Sequence, residues 1–381
     1  MDKYKNVVDF IRTLYKTDDF IPLHAPVFYG NEKKYLNDCI DSTFVSSVGK
    51  YVDLFENRIA DFTGAKKAIA VVNGTSALHA ALRLVGVQNG DEVITQPLTF
   101  IATCNAISYC GASPVFVDVD IDTMGLSPKS LSFFLDENCE KRHGKIINIK
   151  TGNRVSACVP MHTFGHPVRI KEIADICQTW HIPLIEDAAE SLGSYAGDTH
   201  TGLFGKCGIL SFNGNKTITT GAGGMIITND EEFGNLAKHI TTTAKVPHEW
   251  EFNHDMIGFN YRMPNLNAAL GCAQLETLPT ILETKRVIAE QYSNFFKEMG
   301  IDFIQERASV KANYWLNAVK MESAEERNAF LQYTNSQGIM TRPIWTLMNK
   351  LNMFKDCFIG NLDNSHYLEE RILNIPSGVN R

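Results

Sequence analysis

The chain has 381 residues, 44% of them hydrophobic, and a formal net charge of -7, which suits one large globular domain with a smaller companion. The acidic balance and the lack of a long basic run leave nucleic acid without an electrostatic footprint, and no apolar run approaches membrane-spanning length. Nine scattered cysteines without a C-x-x-C pair argue against a disulfide framework or a zinc ribbon, and they make the reducing cytoplasm the simplest compartment.

In chain order, Val7, Val8, Ile11 and Leu14 stand at helical spacing and predict a helix over 1–16. That N-terminal stretch is charged and amphipathic, without an apolar signal core. An arm with Pro22, Pro26 and Gly30 follows. Helices are then expected over 31–42, with Asn31 as N-cap, and over 51–62, joined by the polar loop 46–50. Residues 67–72 read as a buried strand that ends in Asn73-Gly74-Thr75-Ser76, and 77–85 continue as a helix. The alternation goes on through strand 92–95, helix 100–109, strand 114–119, a polar irregular stretch 125–149, strand 155–161, helix 168–180 and strand 182–185. Two further apolar runs, 207–212 and 225–228, read as buried strands. Beyond Asp230 the chain turns helical, with separate helices expected over 267–278 and 281–299, a strand over 313–321 and a Ser323-capped helix over 324–337. The rhythm predicts an α/β fold with a mainly parallel central sheet flanked by helices, plus a smaller C-terminal α+β domain. The expected division is a helical arm over 1–20, a large domain over 21–280 and a small one over 281–381.

Chemistry concentrates at three strand ends, where ligands sit in such sheets. Lys216 lies between the two late strands, with Gly221, Gly223 and Gly224 close behind. Desolvation makes a lysine less basic, and a less protonated amine can attack a carbonyl. Gly74, Thr75 and Ser76 open a helix after a strand, a place that suits a phosphate. Strand 182–185 runs into Glu186 and Asp187, and a carboxylate at the end of a buried strand needs a cationic partner. A phosphate cradle, a lysine for an aldehyde and an acid for a ring nitrogen are the parts that pyridoxal phosphate needs. Blander readings exist for each: a solvated turn lysine, a helix cap and a turn-capping aspartate. His162 and His166 have metal-like spacing, yet a glycine and a proline flank His166, so turn and packing roles are expected and no metal site. Cys104 and Cys110 read as core residues.

Seven pieces in order carry a resemblance: Asn73 to Leu78, Pro97 to Thr103, Glu186 to Glu190, Ser211 to Lys216, Gly258 to Arg262, Gly338 to Pro343 and Leu373 to Gly378. Together they resemble the DegT/DnrJ/EryC1/StrS family of sugar aminotransferases, pyridoxal-phosphate enzymes of fold type I. The wording around 42–50 is most like the subgroup linked to legionaminic acid and bacillosamine synthesis. The resemblance implies that Lys216 carries the cofactor and moves protons, and that Asp187 pairs with its ring nitrogen. It implies cofactor-binding roles for Gly74, Thr75, Ser76 and Ser211 at the phosphate, for Phe100 near the ring, and for Glu190 and Asn213. Asn260 would reach the cofactor of a neighbouring subunit, which implies a homodimer. Ser47, Lys50 and Arg342 would touch the nucleotide-sugar.

The implied reaction moves an amine from L-glutamate to C4 of a 4-keto-6-deoxy nucleotide-sugar, with a UDP-linked N-acetylhexosamine expected, for bacterial surface glycan synthesis. Alternatives in the same fold are a GDP-4-keto-6-deoxymannose (perosamine-type) aminotransferase, a 3-keto sugar aminotransferase and a sugar dehydratase, in whose branch histidine replaces the lysine. A non-catalytic regulatory relative is disfavoured because Lys216 and Asp187 are both present. A nicotinamide enzyme is disfavoured because the turn 221–224 lacks G-x-G-x-x-G spacing and precedes a strand. Two departures stand out: many members have glutamine at Glu190 and glutamate at Ala222, and alanine there reads as structural.

Overall fold

The computed structural model describes residues 2–379. Met1, where the first helix is expected to start, lies outside the described residues, as do Asn380 and Arg381 at the end of the expected small domain. Alternation with a period of two builds the central sheet. In strand Lys67–Val71, Ala68 and Ala70 face a core with Phe55, Ile59 and Leu278, while Ile69 and Val71 face another with Leu78, Ile107 and Phe233. Helices thus cover both faces, as a mainly parallel sheet requires.

Strands Ser113–Phe116, Glu92–Thr95, Arg154–Val159, Ile185–Asp187, Cys207–Ser211, Gly224–Thr228 and Lys67–Val71 lie side by side in that order. The first five run parallel. Gly224–Thr228 is reversed, and Lys67–Val71 pairs antiparallel with it, which restores the common direction. The ends of the strands at Val71, Asp187 and Ser211 and the start of the reversed strand at Gly224 therefore share one edge. Gly224 is required there: a Cβ on it would fall 2.4 Å from the carbonyl carbon and oxygen of Asn73.

Three expectations are corrected. The stretch 125–149 is ordered rather than irregular: helix Pro128–Asn138, with Ser127 accepting from the Ser130 N–H, is followed by a hairpin of Cys139–Arg142 and Lys145–Asn148. Ser127 before Pro128 was a legible start signal; polar composition masked it. The two helices expected over 267–278 and 281–299 are one, Asn265–Glu298, with Pro279 inside it. Leu275, Leu278 and Ile281 pack into the same core on both sides of the proline, and this burial outweighs the lost backbone bond. Asn31 is at the expected N-cap position of Glu32–Asp41, but its side chain donates to Glu276 and makes no cap bond.

The end of the long helix packs with the first helix, Asp2–Tyr15, and with a small antiparallel sheet of Asp302–Phe303, Asn317–Lys320, Ile372–Ile375 and Arg342–Pro343. Division into a large unit to 280 and a small unit from 281 is proposed on these clusters, with the long helix crossing the boundary and the 1–20 arm seated on the small unit. Lys285, on that helix, is 1% exposed. Its ammonium donates to the carbonyls of Ser377 at 2.7 Å, Trp315 at 3.1 Å and Tyr314 at 3.4 Å. Lys285→Met strips three buried carbonyls of their donor, so unfolding in urea is expected to show a loss of about 2–4 kcal/mol. A midpoint equal to the parent's would contradict this tie.

Candidate active site

At the shared edge opens a cavity of about 640 Å³. Gly74, Thr75, Phe100, Asp187, Glu190, Ser211, Asn213, Lys216 and Arg342 all line it. Residues more than 250 positions apart thus converge on one space. Ser76, Ser47, Lys50 and Asn260 do not line it.

The helix Gly74–Leu84 points its start at the cavity. Asn73, rather than Thr75 or Ser76, caps it by accepting from the Ser76 N–H at 2.8 Å. The amides of Gly74 and Thr75 have no intrahelical acceptor at this end, where the helix dipole is positive. A Cβ on Gly74 would stand 3.2 Å from Cβ of Ser211, so the hydroxyl of Ser211 adjoins the helix start.

Asp187 is 3% exposed. Its Oδ2 accepts from the Thr103 hydroxyl at 2.7 Å and its Oδ1 from the Ala189 N–H at 3.2 Å. No cation pairs with it among the described residues. Burial raises its pKa, opposed by those two hydrogen bonds. Beneath it, Glu186 is fully buried: it accepts from the amides of Gly202, Phe204 and Gly205 and from Nε2 of His162, whose Nδ1 accepts from Val168. His162 is thereby held in a structural network. His166 lies edge-on to Tyr314. Among the described residues no group of three His, Cys, Asp or Glu is placed to hold a metal.

Lys216 is 12% exposed along its side chain, and its Nζ is 3.3 Å from Oε1 of Glu190. The other oxygen of Glu190 accepts from the Phe164 N–H at 2.9 Å. Burial pushes the Glu190 carboxyl up to about 7, against the pull of the Lys216 charge. The sequence reading missed Thr103, Phe164, Asn313 and Trp315. Thr103 lay inside a quoted motif without a role. Phe164 has a left-handed backbone, φ 56°, that no residue type signals. Trp315, distant in sequence, has its ring centroid 3.9 Å from Nζ of Lys216.

The remaining residues lie elsewhere on the chain. Lys50 pairs with Asp38 at 2.6 Å. Ser47 borders a second cavity of about 240 Å³ with Arg262. Asn260 is exposed and accepts from Nε of Arg262.

Pyridoxal phosphate fits these residues. The buried, cation-free Asp187 carboxylate suits a protonated ring nitrogen, the helix start and Ser211 suit a phosphate, and Lys216 opens on the same space. Fold and site together define a pyridoxal-phosphate-dependent transferase. The pattern of the DegT/DnrJ/EryC1/StrS aminotransferase family matches residues 28–380. The chain is 36% identical over 362 residues to GDP-perosamine synthase of Escherichia coli O157:H7, covering 94% of this chain and 93% of that one. It is 35% identical over 364 residues to GDP-perosamine synthase of Vibrio cholerae, covering 94% of each. The crystal structure of the aminotransferase TlmJ from Streptoalloteichus hindustanus superposes with a TM-score of 0.85 at 26% identity, covering 94% of this chain and 93% of that one. The chain belongs to the DegT/DnrJ/EryC1/StrS family and is a sugar aminotransferase that uses pyridoxal phosphate. No helix among the described residues is long and apolar enough to cross a membrane.

A carboxyl that titrates higher folded than unfolded adds stability at low pH and loses it as pH rises through the folded value. Glu190→Gln removes that dependence. From pH about 4.5 to about 7 the parent should lose on the order of 2 kcal/mol relative to Glu190→Gln. Parallel pH profiles of urea unfolding would contradict the buried titration.

Proposed function

We propose that the enzyme transfers the amine of L-glutamate to C4 of a GDP-linked 4-keto-6-deoxy sugar, in a pathway to a surface polysaccharide. The observation that carries the chemistry is the convergence of Lys216, Asp187 and the 74–84 helix start on one cavity. The GDP linkage, in place of the UDP linkage expected at first, is supported by the perosamine synthases among the relatives.

When bound, pyridoxal phosphate supplies an aldehyde for amines and a ring that accepts the electron pair left when a substrate carbon loses a proton. Lys216 takes that proton at Nζ and returns it, as acid and base in both halves of the exchange. Asp187 keeps the ring nitrogen protonated, and its pKa-raising burial makes a cationic partner favourable. Gly74, Thr75 and Ser211 hold the phosphate. Phe100, Asn213 and Glu190 complete the cofactor's surroundings, and Arg342 meets the diphosphate of the sugar nucleotide. Overall one amino group moves and one keto group returns on 2-oxoglutarate, with no net redox change.

The working unit is a homodimer. Asn260 and Lys50 are exposed, and these two and the half-buried Ser47 lie outside the cavity of their own chain, so each would serve a neighbour's site. Trp250 is 72%, Phe252 78% and Ile257 91% exposed, an apolar display that suits a subunit interface. A cytoplasmic setting accords with the unpaired cysteines, which carry no disulfide.

Borohydride treatment is expected to fix the cofactor's mass on Lys216 and to leave Lys216→Ala unlabelled, read by peptide mass spectrometry. GDP-4-keto-6-deoxymannose with glutamate should yield an amino sugar, identified by mass and NMR; turnover of UDP-linked sugars alone would overturn the GDP reading. Lys216→Ala and Asn260→Ala chains should each retain cofactor poorly or unlinked, while their mixed dimer regains one borohydride-fixable site. A mixed dimer no better than its parents would refute the shared site.

A further inference from the structure

The amine of Lys216 has two walls. Oε1 of Glu190 stands 3.3 Å from Nζ, and Nζ lies 3.9 Å from the centroid of the Trp315 ring. Glu190 is 2% exposed and Trp315 4%, so little water competes. A cation over an aromatic face is attracted by the ring quadrupole, and more strongly where desolvated.

Each wall is braced from behind. The carboxylate of Glu190 is aimed by the Phe164 N–H, and its backbone carbonyl accepts from Nδ2 of Asn313 at 2.9 Å. The Trp315 indole N–H donates to the carbonyl of Asn215 at 2.7 Å, which ties the ring to the residue before Lys216. Its backbone N–H donates to Oδ1 of Asn313 at 2.8 Å, and its carbonyl accepts from Lys285 at 3.1 Å. A tryptophan serving only to fill a core would need neither the amine on its face nor a bond to the lysine's own loop.

We propose that Glu190 and Trp315 form a berth that seats the Lys216 side-chain nitrogen whenever it is not joined to the cofactor, with Trp315 as a positioning residue and Glu190 as its hydrogen-bond partner. The inference rests on Lys216 being the cofactor-linking lysine. The berth forms no covalent bond. It fixes where the proton-carrying amine stands between removing a proton from substrate and returning it, so that the amine is not lost to solvent or to a stray rotamer.

The test labels the amine directly. Full-length protein freed of pyridoxal phosphate with hydroxylamine is acetylated with N-hydroxysuccinimide acetate, and the rate at Lys216 is compared with that at exposed Lys66 by peptide mass spectrometry. Trp315→Leu and Glu190→Gln should each speed relative labelling of Lys216 about three- to tenfold, with Trp315→Phe, which keeps a ring face, in between. Parent-like labelling in a folded Trp315→Leu overturns the berth. If circular dichroism shows that variant unfolded, parent-like labelling in Glu190→Gln overturns it instead. Failure of borohydride to fix cofactor at Lys216 would sink the cofactor reading while the labelling ratio still stands; parent-like labelling with fixation intact sinks the berth alone.

Discussion

A carboxylate with no cation in a dry place is the constraint around which this site is built. Asp187 gives up water at the end of a central strand, and only a hydroxyl and one amide compensate it within the protein. Such an arrangement is unfavourable unless a positive group arrives. The strand beneath is held rigid by Glu186, whose oxygens take three backbone amides and an imidazole. The acid is therefore presented, not free to swing toward solvent.

Strand direction brings the other parts to that acid. Had Gly224–Thr228 run parallel to its neighbours, the chain after Lys216 would have had to cross to the far edge of the sheet. Reversal lets it turn within a few residues and return on the same edge. The return passes so close to Asn73 that only glycine fits at 224. A glycine that looks like mere flexibility in sequence is thus a packing requirement.

The segment 313–315 completes the site. Asn313 bonds to the carbonyls of Glu190 and Leu192, and Trp315 to that of Asn215. Two loops of the large unit are in this way referenced to one short segment, itself pinned to the long helix through Lys285. Displacement of segment 313–315 would be felt directly at Lys216.

Much of this was legible in the residues. The apolar run 67–72, the Asn-Gly-Thr-Ser helix start, Asp187 at a strand end and Lys216 between two apolar runs marked the fold class and three parts of the candidate site, because each is set by near neighbours in the chain. What the sequence could not show was anything set by distant partners. Two helices were expected on either side of Pro279, yet burial on both sides kept one helix. Trp315 meets a loop 100 residues earlier, and no local pattern marks which indole will lie under which amine. Local chemistry marked the candidate groups; only tertiary packing decided what surrounds them, since burial and ion pairing depend on every element that closes over a side chain.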